Sequence, residues 1–159
     1  MKQTYMGKVW KYGDDINTDV IFPGKYTYQK MEPAEMARHA LEDLDPTFAS
    51  RVSEGDILVA GRNFGMGSSR EQAAVAIRHA GVSVIIARSF ARIFFRNSIN
   101  AGMPALVCPE AVDALENGDT VEVDMAEGLI VTPRGRFHFP PYPGAVVDIL
   151  QAGGLIPWV

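Results

Sequence analysis

The sequence predicts an α/β fold in which a small parallel sheet with flanking helices carries further antiparallel strands at its periphery. Three observations predict it. In the middle of the chain, buried apolar runs alternate with helix-like segments in the order strand, loop, helix, strand, helix, strand. Glycines stand where both helices end, and the two ends of the chain add mostly strand-like segments. Because a strand–helix–strand order implies parallel strands with right-handed crossovers, the central unit is expected to be a parallel sheet.

The N-terminal third begins with a strand and continues with turns and one helix. Gly7–Tyr12 alternates in polarity, which is typical of a half-buried strand. The segment 14–19 is rich in turn-forming residues, and the short apolar run Val20–Phe22 ends at a Pro-Gly pair. Pro33 is a favoured first residue of a helix, so we predict a helix from Pro33 to about Leu44.

The central unit follows from apolar runs and from residues that begin and end helices. Its predicted elements are the strands Asp56–Ala60, Val82–Ala87 and Ala105–Cys108 and the helices Ser69–Ala80 and Phe90–Ala101. Ser89 is expected to cap the second of these helices, and Gly81 and Gly102 are expected to end them. The remaining predicted elements are a helix at Glu110–Glu116, the paired strands Thr120–Asp124 and Leu129–Thr132, and a helix at Pro143–Ala152.

Composition and charge are those of a soluble globular protein, and we expect one domain over residues 1–159. Hydrophobic residues make up 47% of the chain and charged residues 21%, which excludes disordered and fibrous classes. The net charge of −4 and the lack of a Lys/Arg cluster argue against nucleic-acid and membrane-surface binding. No apolar run reaches the roughly 18 residues of a membrane span, so we expect a cytoplasmic protein.

The segment 61–72 (GRNFGMGSSREQ) carries the strongest chemical signal. It follows a predicted buried strand and opens a helix, where unpaired N–H groups and the helix dipole favour an anion. Glycines allow close approach of a ligand to the backbone, and the Arg70 guanidinium suits a carboxylate or phosphate. The alternative is an ordinary helix start, because Ser68 with Glu71, or Ser69 with Gln72, also fits a capping box. Phosphate-loop, dinucleotide and hydrolase-elbow motifs do not fit this segment.

The same segment resembles the signature of the aconitase-type swivelling domain. Further matches follow in the order of that family: DINTD at 15–19 with IFPG at 21–24, EDLDP at 42–46, GDILVAG at 55–61, SFARIFFRN at 89–97 and AGGLI at 152–156. The resemblance covers nearly the whole chain and implies the β/β/α swivelling fold of the aconitase superfamily. Within it, the chain is similar to the small subunits of isopropylmalate dehydratases, in a short form that homoaconitase-type enzymes share.

This resemblance implies one part of a two-subunit hydro-lyase. A large-subunit partner would carry a [4Fe–4S] cluster on three cysteines, and this chain, which has the single cysteine Cys108, would hold no metal. In the family the first serine of the pair is the base that removes a proton from the substrate carbon, which implies Ser68 as the catalytic residue. The resemblance further implies that Arg70 binds a substrate carboxylate, that Ser69 assists it, and that Gly65 and Gly67 shape the anion loop.

The loop after the Pro-Gly pair is the expected determinant of specificity. Relatives often read Tyr-Leu-Arg-Thr here, and the resemblance implies that Tyr26, Thr27, Tyr28 and Lys30 of this chain would lie beside the substrate's variable group. The favoured substrate is therefore a malate with a small alkyl substituent, isopropylmalate, as in leucine biosynthesis. The alternatives are a homoaconitase-type tricarboxylate, a methylmalate or dimethylmalate, or a partnerless anion-binding domain. Arg92 and Arg96, one helical turn apart, are expected to be solvated or ion-paired.

Overall fold

A seven-stranded sheet organises the part of the chain that the structure, a computed structural model, describes: residues 4–68, 70–140 and 142–153. Its strands are β1 (Thr4–Lys11), β2 (Ile57–Ala60), β3 (Val84–Ala87), β4 (Ala105–Val107), β5 (Thr120–Asp124), β6 (Leu129–Thr132) and β7 (Gly135–His138). They lie side by side in the order β4-β3-β2-β1-β5-β6-β7. Strands β1 to β4 are parallel, and β5, β6 and β7 continue the sheet in antiparallel pairs. The predicted α/β class, with a parallel centre and antiparallel periphery, is confirmed.

Strand β1 joins the two halves of the sheet. Its first part, Thr4–Lys8, pairs antiparallel with β5, and its last part, Val9–Lys11, pairs parallel with β2. One strand therefore belongs to both pairing patterns at different points along its length. This arrangement joins the parallel and antiparallel halves into one sheet.

Seven α-helices are found in the described residues. They are α1 (Thr18–Ile21), α2 (Pro33–Ala37), α3 (Phe48–Arg51), α4 (Glu71–Ala80), α5 (Arg92–Asn100), α6 (Pro109–Ala114) and α7 (Gly144–Gln151), with a 3₁₀ turn at Gly24–Tyr26. Helices α4 and α5 are the crossovers of the parallel unit, which confirms the predicted strand–helix–strand–helix–strand order. None of the helices in the described segments is long and apolar enough to cross a bilayer.

The apolar runs of the parallel strands are explained by burial on both faces. Leu58 and Ile85 point to one face, where they join the apolar layer beneath α4 and α5. Their neighbours Ile57 and Ile86 point to the other face, where they pack with residues of α6, β5 and β6. A strand that is buried on both faces has apolar residues at successive positions, and the sequence shows this pattern.

Four sequence-based expectations about elements differ from the structure. The helix predicted from Pro33 to about Leu44 ends at Ala37, because the chain bends so that the Leu41 N–H donates to Ile21 O at 2.8 Å, with Leu41 at φ +56°. Ser89 does not cap α5, since its Oγ accepts from the Asn63 N–H at 2.8 Å. The edge strand β7 has exposed, mostly polar residues and no apolar alternation, so the sequence pattern does not reveal it. The capping box proposed at the start of α4 is described with the site.

Candidate functional site

A cleft of about 260 Å³ lies at the carboxyl edge of the parallel strands. Its walls come from the start of α1, from the loop that follows β2, and from the first turns of α5. The lining residues are Thr18, Gly65, Gly67, Ser68, Arg70, Ala91, Arg92, Ile93, Phe94 and Asn97. This edge is where ligands bind in open α/β sheets, because loops from neighbouring strands meet there. The structure thus brings the predicted residues Gly65, Gly67, Ser68 and Arg70 together around one cavity.

The glycine loop has a backbone that only glycine adopts readily. Gly65 and Gly67 have φ values of +85° and +95°. A side chain at Gly65 would also overlap the ring of Phe94, which packs directly on this residue. The Gly65 N–H donates to Ile16 O at 2.8 Å and is therefore used within the chain rather than presented to an anion. Gly65 shapes the loop by letting α5 approach it closely.

Gly65→Ala should destabilise the chain by about 1–3 kcal/mol, because it combines a left-handed backbone with overlap against Phe94. Thermal unfolding of the purified chain measures this effect. Gly13→Ala is the matched control, since a side chain there meets nothing within 4 Å. An unfolding midpoint equal to that of the parent protein for Gly65→Ala would show that the loop can relax away from α5.

Thr18 fixes the position of the loop through three hydrogen bonds. Its N–H donates to Met66 O at 2.9 Å, its hydroxyl donates to Ser68 O at 2.8 Å, and its carbonyl accepts from Arg70 Nη2 at 2.8 Å. The Thr18 side chain is buried, so these bonds are shielded from water. The loop that carries Ser68 is therefore held in place on the N-terminal segment of the chain.

Ser68 lies exposed at the mouth of the cleft, and its hydroxyl makes no hydrogen bond with any described residue. The capping box predicted from Ser68 and Glu71 is wrong. Helix α4 begins at Glu71 with Arg70 as its N-cap residue, and no side chain caps it. Gln72 Nε2 donates to Thr27 O at 3.0 Å, and the alternative box of Ser69 with Gln72 stays a prediction. Ser68 is thus free of a capping role, whereas Ser69 lies outside the described residues.

Arg70 is engaged mainly with its own chain. Nη1 donates to Thr27 Oγ1 at 2.7 Å, and Nη2 donates to Thr18 O, to Asp19 Oδ1 at 2.9 Å and to Phe22 O at 2.6 Å. The side chain is only 9% exposed. Its Nε is buried and has no hydrogen-bond partner. The guanidinium therefore fastens the segment 18–27 to the start of α4, and the carboxylate contact expected from the sequence stays a prediction.

The loop of Tyr26, Thr27, Tyr28 and Lys30 does not line the cleft in this structure. The Tyr26 hydroxyl donates to Glu42 Oε2 at 3.2 Å, and its ring lies 4.2 Å from that of His39. Tyr28 is 100% exposed, and Lys30 is exposed as well. Of these four residues, Thr27 contacts a cleft residue, because its hydroxyl accepts from Arg70 Nη1. The role of this loop in specificity stays a prediction.

A small polar cluster anchors that loop to the body of the protein. Glu42 accepts from Tyr26 and lies 3.0 Å from His39 Nδ1. The hydrogen bond from His39 is the main reason that the pKa of the Glu42 carboxyl lies below its ordinary value. A lowered carboxyl pKa means that this contact stabilises the fold above the ordinary pKa of a glutamate and is lost as the pH falls through the lowered value.

Helix α5 contributes cleft residues that the sequence pattern does not single out. Arg92, Ile93 and Asn97 line the cavity beside the glycine loop. Arg92 is exposed, as expected of a solvated arginine, and it also lines the cleft. The only sequence signal is its position at the start of a helix that follows the carboxyl end of a strand. Thr18, which lies in the turn-rich segment 14–19, lines the cavity as well.

The residues of this chain do not fit an iron–sulfur cluster. Such a cluster takes cysteine thiolates, and the one cysteine, Cys108, is buried and does not line the cleft. Its Sγ donates to His138 O at 3.5 Å, and burial raises the pKa of its thiol. In the described ranges, no three His, Cys, Asp or Glu side chains lie close enough together to hold a metal ion.

Comparisons with known proteins agree with the fold. Residues 12–111 match the family model described as the aconitase C-terminal domain. The chain is 54% identical to a 3-isopropylmalate dehydratase small subunit of Caldicellulosiruptor saccharolyticus, covering 98% of this chain and 90% of that one. It is 50% identical to the small subunit of the same name from Aquifex aeolicus, covering 98% and 94%.

A solved structure of 3-isopropylmalate dehydratase from Methanocaldococcus jannaschii superposes with a TM-score of 0.91 at 41% identity, covering 98% of this chain and 92% of that one. Aconitase X from Thermococcus kodakaraensis superposes with a TM-score of 0.50 at 16% identity, which shows a shared fold alone. The chain belongs to the aconitase C-terminal-domain family and, within it, to the family of 3-isopropylmalate dehydratase small subunits.

Proposed function

We propose that this chain is the small subunit of a hydro-lyase that isomerises isopropylmalate by dehydration and rehydration, as leucine biosynthesis requires, and that the complex works in the cytoplasm. The supporting observation is the cleft itself, which is lined by guanidinium-bearing side chains, by apolar side chains and by a serine whose hydroxyl makes no hydrogen bond with any described residue. Ser68 supplies the hydroxyl, and Ile93 and Phe94 supply apolar surface within the same cavity. A malate with a branched alkyl group needs these two kinds of surface side by side.

The isomerisation removes a hydroxyl from one carbon and a proton from its neighbour and returns them in exchanged positions. In our proposal Ser68 Oγ takes the proton. A serine hydroxyl is a weak base, so its alkoxide needs a preorganised positive field. The Arg70 guanidinium and the N–H groups at the start of α4 lie within three residues of Ser68 along the chain and supply that field.

The departing hydroxyl needs a Lewis acid, and we assign that part to a partner. A [4Fe–4S] cluster on the large subunit would polarise the leaving hydroxyl when that subunit is bound. The residues of this chain then act on the opposite side of the substrate. They bind a carboxylate, hold Ser68 beside the acidic carbon and exclude water when the two subunits close. The loop 26–30 would meet the substrate's variable group in that closed complex.

Anaerobic co-expression with the large subunit of the same genome tests this proposal. The chain alone should be folded, colourless and inactive, and the complex should form alkene from isopropylmalate faster than from homocitrate-type or methylated malates. Alkene formation is followed by ultraviolet absorbance, and cluster content by visible absorbance. Dehydration of malates by the chain alone would contradict the proposal, and so would a complex with an intact cluster that is inactive on isopropylmalate.

A further inference from the structure

We infer that the amino-terminal end of α5 binds one carboxylate group of the dicarboxylate substrate, with Arg92 as the cation of that subsite. The inference rests on the proposed function and adds a substrate-binding residue to it. Arg92, Ile93 and Phe94 form the first turn of α5 and line the same cleft as Ser68. Substrate held between the two walls would place one end on α5 and its acidic carbon near Ser68.

The backbone at this helix end has hydrogen-bond donors to offer. Helix α5 has nine residues, and its N-cap residue is Ala91, whose side chain cannot accept a hydrogen bond. The N–H groups of Arg92, Ile93 and Phe94 make no hydrogen bond with any described residue, and the first bond of the helix runs from the Phe95 N–H to Ala91 O at 2.9 Å. These donors and the positive end of the helix dipole favour a carboxylate.

A second, independent observation comes from Arg70, which lines the same cleft. Its side chain is nine-tenths buried, yet its Nε has no partner, and this is the one buried side-chain nitrogen or oxygen in the described part of the chain in that condition. A buried donor without a partner is costly, which suggests that the occupied cleft supplies an acceptor. Since Nη2 already donates to Thr18 O, Asp19 Oδ1 and Phe22 O, the Nε–H cannot act together with Nη2 as a two-nitrogen fork for a ligand.

A dicarboxylate therefore needs another cation, and Arg92 meets that need. Of the two arginines that line the cleft, Arg70 forms an ion pair with Asp19, whereas Arg92 forms none with any described residue. Its full charge is available in a protein whose net charge is −4. Asn97 lines the same wall and adds an amide for the substrate hydroxyl or carboxylate.

Arg92→Gln in the reconstituted complex is the test, because it removes the charge and keeps most of the side-chain length. We expect KM for isopropylmalate to rise roughly 10- to 100-fold, the range for losing a hydrogen bond to a charged group, with a smaller change in kcat. Arg96→Gln is the matched control, since Arg96 lies one turn along α5 and does not line the cleft. Arg92→Lys, which keeps the charge, should recover part of the lost affinity. The thermal midpoint should be the same in all three variants, because Arg92 is exposed and unpaired.

A separate binding measurement distinguishes failure of this inference from failure of the proposed function. Calorimetric titration of the complexes with malonate, a plain dicarboxylate, should show the same loss of affinity in Arg92→Gln even if isopropylmalate is not the substrate. Parent-like malonate affinity and KM in Arg92→Gln would overturn the inference. An equal loss in Arg92→Gln and Arg96→Gln would overturn it too, because the helix face would then act in subunit docking.

Discussion

Replacing Ser68 with alanine should lower kcat of the reconstituted complex about 10²- to 10⁴-fold and leave KM nearly unchanged. The expected loss is the usual cost of removing a group that transfers a proton in the transition state. The Thr18 hydroxyl bonds to the carbonyl of Ser68 and not to its side chain, so the loop should keep its position in the variant. Steady-state alkene formation with saturating isopropylmalate measures the effect.

The stability of the same variant separates catalysis from structure. The Ser68 side chain is exposed, makes no hydrogen bond within the described residues and does not cap α4. The unfolding midpoint of Ser68→Ala should therefore equal that of the parent chain. Ser53→Ala is a suitable control, because Ser53 is also exposed but precedes β2, at the opposite edge of the sheet. Near-normal kcat in Ser68→Ala would show that the hydroxyl takes no part in the proton transfer.

The fold could be predicted where it follows from local residue preferences or from a regular pattern of apolar residues. The parallel unit from β2 to β4 follows from apolar runs long enough for strands and from glycines such as Gly81, whose φ of +125° ends α4. The turns after α2 could not be predicted, because they depend on the contact between Leu41 and Ile21, twenty residues away along the chain. Strand β7 is an exposed edge strand, and such a strand needs no apolar pattern to pair with β6.

The candidate site could be predicted only in part, for a related reason. Glycines before a helix indicate a ligand loop from sequence alone, and Gly65, Gly67 and Ser68 do line the cleft. Arg92 reaches the cleft because α5 packs against that loop. The spacing of residues along the chain does not predict this contact in space. The contacts of Arg70 could not be predicted either. Its position before a helix suggests a guanidinium that is free for a ligand, but its partners Thr27 and Thr18 lie more than forty residues earlier in the chain.

Arg70→Lys should lower both the stability of the chain and the activity of the complex. The planar guanidinium bonds Thr27 through one nitrogen and Thr18 and Phe22 through the other, and a lysine ammonium cannot reproduce that fork. Loss of these shielded bonds, partly offset by new contacts of the ammonium, should cost about 2–3 kcal/mol of unfolding free energy. For a chain of this size that is a fall of roughly 4–12 °C in the unfolding midpoint.

The activity of Arg70→Lys follows from what the guanidinium holds. Without it the start of α4, Thr18 and the loop 26–30 lose their common anchor, so Ser68 is no longer held at the cleft mouth. We expect kcat/KM to fall at least about 100-fold at a temperature well below the midpoint, because small misplacement of a catalytic group has a large effect. Arg62→Lys is the control, since Arg62 is 68% exposed and its nearest acidic oxygens lie at 3.8 and 3.9 Å. Such surface pairs contribute about 0–1 kcal/mol, so Arg62→Lys should keep the parent midpoint and activity. An Arg70→Lys complex that also kept both would show that this anchor neither stabilises the chain nor positions Ser68.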